Sequence, residues 1–119
     1  MGAPKDISIK HAQEEVEKFL EERGKDWTQV DNRFYVFTHM IEEIGELARH
    51  IINMELNLSL DRTSREPIPR KDVLSRIEDD LGDILYHLLK LSVAYDIDLA
   101  NAFGKAMVDI KKRYGKKRI

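Results

Sequence analysis

Phe34-Tyr35-Val36-Phe37-Thr38-His39-Met40-Ile41-Glu42-Glu43-Ile44-Gly45-Glu46-Leu47-Ala48-Arg49-His50-Ile51 sets apolar side chains at 34, 37, 41, 44, 48 and 51. Steps of three and four are the period of an α-helix, in which such residues share one face. Counting about 100° per residue, that face centres near Ile41 and includes Phe34 as a core residue. His39, Glu43, Glu46 and His50 fall on the opposite side, with Glu42 at the border. Met40, Leu47 and Met54 widen the apolar arc beyond what one helix contact needs. The helix should begin at about Thr28 or Asp31 and fray near Asn53 or Asn57.

On either side the same period recurs. Ile9, Ala12, Val16, Phe19 and Leu20 form an earlier stripe, with Ser8 as N-cap and Gly24 as the stop. Arg65-Glu66-Pro67-Ile68-Pro69-Arg70 reads as a loop. A third helix opens near Asp72, carries Leu74, Ile77, Leu81, Ile84, Leu85, Leu88 and Leu91, and ends before Asp96-Ile97-Asp98. Asp98 caps a fourth, with Leu99, Phe103, Ala106 and Ile110 ahead of Gly115. There is no β pattern and no internal repeat. An all-α four-helix bundle, one domain over residues 1–119 with a basic tail from about residue 111, is the economical architecture.

Composition narrows the chemistry. A chain of 119 residues, 42% hydrophobic, can bury one core. It has no apolar run of bilayer-spanning length, and Met1-Gly2-Ala3-Pro4-Lys5-Asp6 has no signal-peptide core behind it, so a cytoplasmic protein without a membrane partner is expected. With no cysteine, a metal would be held by carboxylate, imidazole or carbonyl groups, which suits magnesium and, next, manganese. Formal net charge is only −2. Lys111, Lys112, Arg113, Lys116, Lys117 and Arg118 form a basic end that reads as a solvated helix terminus rather than a nucleic-acid patch.

Glu43 and Glu46 are three residues apart, as are Asp80 and Asp83, so each pair shares a helix surface; His87 continues the second pair. From spacing alone, exposed salt-bridge ladders with Arg49 and Arg76 are the stronger reading. Two glycines shift the balance. Gly45 and Gly82 each stand inside a helical pattern one residue before an acid, at a cost of about 1 kcal/mol against Ala. Close approach of another helix or of a ligand is the usual reason for such a glycine. Four carboxylates converging between two helices would in turn need a cation.

Ile41-Glu42-Glu43-Ile44-Gly45-Glu46-Leu47 and Asp79-Asp80-Leu81-Gly82-Asp83-Ile84-Leu85 resemble the paired E-E-x-x-E and E-x-x-D motifs of the MazG-like nucleoside triphosphate pyrophosphohydrolases. Glu42, Glu43 and Glu46 fill the first motif, and Asp80 and Asp83 the second, with Asp80 one methylene shorter than the family Glu. The resemblance implies magnesium-dependent hydrolysis between the α and β phosphates of a nucleoside triphosphate. It also implies metal ligation by Glu43, Glu46, Asp80 and Asp83, with Glu42 orienting water, and assembly as a homodimer or homotetramer. Lys105 or Lys112 would meet the phosphates, although the family's Asn on the last helix has no counterpart, Asp109 or Ile110 standing in its place. His39, His87 and Trp27 are candidates for nucleotide contact, with Tyr35 and Tyr86 as further stacking rings. A phosphoribosyl-ATP pyrophosphohydrolase of the same fold, and a non-catalytic helical oligomer binding nucleic acid through the tail, are the alternatives.

Overall fold

In a computed structural model the chain forms α1 (Ile9–Glu22), α2 (Val30–Glu55), α3 (Arg70–Ala94) and α4 (Leu99–Tyr114). The structure describes residues 6–24, 26, 30–56 and 69–115, among which there is no strand. The protein is all-α. Trp27 and the tail residues Lys116, Lys117 and Arg118 lie outside the described residues.

Local chemistry explains the helix ends. The Ser8 side chain accepts from the His11 amide, and Asp98 accepts from the Asn101 amide, each satisfying a donor that the first helical turn leaves open. At the end of α1, Gly24 takes φ +71° and returns its amide to the Glu21 carbonyl. α3 closes in the same way without glycine. Asp96 adopts φ 53°, its amide bonds the Val93 carbonyl, and the Ile97 amide reaches back to Ser92, the paired bonds of a Schellman cap. The last turn of α4 carries Lys111, Lys112 and Arg113, which complement the negative end of the helix dipole.

Contacts gather the chain into two units, Met1–Arg33 with Leu89–Ile119, and Phe34–Leu88. In the first, α1 packs on α4, and Gln13 ties them together. Its amide nitrogen donates to the Ile97 carbonyl at 2.6 Å while its carbonyl oxygen accepts from the Leu99 amide at 3.0 Å. Val16 and Leu20 are the buried apolar residues of α1.

The second unit is an antiparallel pairing of α2 with α3. Glu55 meets Arg70 at one end and His39 meets His87 at the other. Here the structure corrects the core assignment. Phe34 is 67% exposed and Ile41 51% exposed, and Phe37, Ile44, Ile51, Leu74, Leu81, Leu85 and Leu88 are exposed as well. The buried positions are Val36 and His50 on α2, and Val73, Asp80 and His87 on α3. Two facing helices can each hide only one face. In this pair the hidden seam follows residues 36, 43 and 50 on α2 and 73, 80 and 87 on α3, at intervals of seven. The wide apolar stripes are left outside.

The two helix glycines have no close neighbour among the described residues. A Cβ added at Gly45 or at Gly82 would meet nothing within 4 Å among the described residues, so no other described segment approaches either one closely. Both are exposed, beside the exposed isoleucines and leucines.

Candidate metal centre

The inward seam of the hairpin is polar at its centre. One turn of α2 brings Glu43 and Glu46 to the same side, and Asp80 reaches toward them from α3. One carboxylate oxygen from each lies within 4.8 Å of the others. Glu43 is half-buried, Glu46 exposed and Asp80 buried.

Asp80 is held from behind. His50 Nδ1–H donates to Asp80 Oδ2 at 2.5 Å, and both side chains are buried. A carboxylate has only acceptor sites, so the proton of this bond is carried on Nδ1. His50 stands seven residues beyond Glu43, two turns along the same seam. Its place opposite the apolar stripe was visible in the spacing, but its pairing with Asp80 across the hairpin was not.

Glu43, Glu46, Arg49, His50, Arg76, Asp79, Asp80 and Asp83 line a cleft of about 440 Å³. Five carboxylates against two guanidiniums leave the cleft formally negative. Two charges 4.8 Å apart repel by about 3.5 kcal/mol at an effective dielectric near 20, and by less where water reaches them, as at Glu46. The repulsion acts on Glu43. The Glu43 carboxyl is pushed above its ordinary 4.5, first by burial, then by the charges of Asp83 and Glu46, with Asp80 adding and His39 opposing. Arg49 approaches Glu46 only to 3.9 Å, and both are well exposed, so it offsets little.

Such a donor set fits a hard divalent cation. All three convergent atoms are carboxylate oxygens, the ligands that magnesium and manganese prefer, and a cation would relieve the repulsion felt at Glu43. Asp83 is exposed and lines the same cleft without joining the closest three. Glu42 is exposed and stands outside the lining. His39 and His87 meet each other and Glu43 at the next layer of the seam. Lys105 and Lys112 are exposed on α4, in the other unit.

A family model described as the MazG nucleotide pyrophosphohydrolase domain matches residues 35–117, a stretch that contains every acid of the cleft. The chain belongs to this family. It is therefore a hydrolase of the nucleotide pyrophosphohydrolase class, a family that is typically metal-dependent, and acidic residues cluster in its cleft. No curated protein and no solved structure matches the chain. Among the described residues no helix is long and apolar enough to cross a membrane.

Proposed function

We propose that the protein hydrolyses a nucleoside triphosphate between its α and β phosphates, releasing the monophosphate and pyrophosphate, with magnesium held by Glu43, Glu46, Asp80 and Asp83. The observation that carries this reading is the convergence of Glu43, Glu46 and Asp80 from two helices into one polar cleft. Magnesium in such a site neutralises phosphate oxygens and lowers the pKa of an attacking water. The protein's own part is positional. His50 fixes the Asp80 carboxylate and the α2 backbone spaces Glu43 from Glu46, while Glu42, outside the cleft lining, is the family-based candidate for orienting water. Arg49 and Arg76 line the cleft and suit phosphate oxygens, and Lys105 and Lys112 are the family-based candidates for the same role.

A second copy of the chain completes the assembly, as a homodimer or homotetramer. The exposed row of Ile41, Ile44, Leu81 and Leu85 is apolar surface that a lone chain would present to water. Open space at Gly45 and Gly82 admits another helix at short range.

The reaction is tested by incubating the protein with each ribo- and deoxyribonucleoside triphosphate and magnesium, and assaying pyrophosphate. Pyrophosphate and monophosphate in equal amounts are expected, with rates falling about 100-fold or more in Glu46→Gln and Asp83→Asn. Orthophosphate as the product, or turnover unchanged in both variants, overturns the reading.

A further inference from the structure

One layer along the seam from the carboxylates, the chemistry changes. His39 and Glu43 are four residues apart on α2, a spacing that puts both on one side of a helix, and His87 faces them from α3. One donor atom from each of the three lies within 4.8 Å of the others. The imidazole rings sit 4.7 Å apart between centroids at 65°, edge toward face. His87 is buried and His39 half-buried, with Tyr35 flanking His39 at 5.5 Å and Tyr86 flanking His87 at 5.3 Å.

We propose that His39, Glu43 and His87 form a second cation position, for a borderline transition ion such as Zn²⁺ or Co²⁺, sharing Glu43 with the all-oxygen cluster. Two imidazoles and one carboxylate are a ligand set that zinc, cobalt and iron(II) favour and that magnesium does not. A carboxylate has two oxygens, and Glu43 belongs to both groups, so it can serve an ion on each side. Donor atoms around one ion at about 2.1 Å lie no more than about 4.2 Å apart, so the three donors, within 4.8 Å of one another, would close up slightly on binding. A nucleotide base is the poorer occupant. His87 is buried, and rings set edge to face offer no open parallel pair between which a base could stack.

Metal binding is measured on the full chain without nucleotide, so its outcome is separate from whether a triphosphate is hydrolysed. Protein stripped with a chelator is titrated with Co²⁺ and followed by visible absorption, then challenged with about 100-fold excess Mg²⁺. Binding of Co²⁺ that survives the magnesium is expected, with affinity lowered at least about tenfold in His39→Ala and in His87→Gln, and retained in Glu46→Gln. Because His87 is buried, a second readout uses the unaltered protein. Zn²⁺ added to ¹⁵N-histidine-labelled chain should shift one ring nitrogen of each of two histidines, and the spectrum of His39→Ala identifies one of them. Displacement of Co²⁺ by magnesium, or zinc binding with no shift in the His39 and His87 ring nitrogens, overturns the proposal.

Discussion

His50 on α2 donates to Asp80 on α3 across 2.5 Å, and the two are buried together thirty residues apart in the chain. The pair joins the hairpin to the acidic cluster, because Asp80 is also within reach of Glu43 and Glu46. Removing His50 alone leaves a buried carboxylate without its donor, at about 1–3 kcal/mol. His50→Ala should therefore melt about 4–10 °C lower and bind magnesium about 10–100-fold more weakly. Replacing both residues by Leu removes the buried polar atoms altogether, and stability should return while magnesium binding does not. Calorimetric unfolding and magnesium titration of the three proteins separate the two effects; a double variant as unstable as His50→Ala would contradict them.

Restoring the family's usual residue with Asp80→Glu should weaken the protein. The added methylene enters a buried position against His50, and overpacking of this kind costs about 1–3 kcal/mol. Denaturant unfolding checks the stability. Adding His50→Ser to Asp80→Glu makes room and should recover at least half of the loss.

The raised Glu43 carboxyl gives a signed pH effect. Its protonated form is favoured in the folded chain, so that contribution is complete below the ordinary value of 4.5 and is lost as pH rises through the raised one. Metal-free wild type should lose stability over that window relative to Glu43→Gln, which is neutral throughout. In EDTA the two proteins should melt alike near pH 4, and the Gln variant should melt higher near pH 7. Magnesium should erase the advantage at the higher pH by stabilising only the wild type. An equal difference at both pH values would remove the electrostatic explanation.

The outer face predicts association. Ile41→Glu or Leu85→Glu should shift the protein toward the monomer in light scattering, because each places a charge on a surface that a second copy would dry. Gly45→Leu tests the notch from the other direction. A Cβ there meets no described atom within 4 Å, so dissociation without loss of thermal stability would place the contact between chains.

Helix limits were legible in the sequence because capping is local. Ser8, Gly24 and Asp98 act within one turn of themselves, and α1 and α4 begin and end beside them. That Glu43 and Glu46 share one side of α2 was legible as well, since their spacing is a property of a single helix. Which face of α2 turns inward was not. Both an apolar stripe and an acidic stripe run along it, and periodicity measures only their separation. The glycines were legible only in part, for a related reason. A missing Cβ records that room is needed, but not whether the neighbour comes from the same chain. His50 escaped as a site residue because its role depends on Asp80, and a pairing across thirty positions leaves no local trace.

The seven-residue interval of the buried seam has a consequence for how the helices find each other. Hydrophobic seams with that interval tolerate neighbouring alignments, since one apolar layer resembles the next. Here successive layers are chemically distinct: imidazole against imidazole at His39 and His87, then carboxylates, then His50 on Asp80. Sliding α3 by one turn, about 5.4 Å, would take Asp80 from its histidine donor and move acid along acid. The side chains that make the centre costly to assemble thus act as a vernier, selecting one alignment of α2 and α3 from its near neighbours.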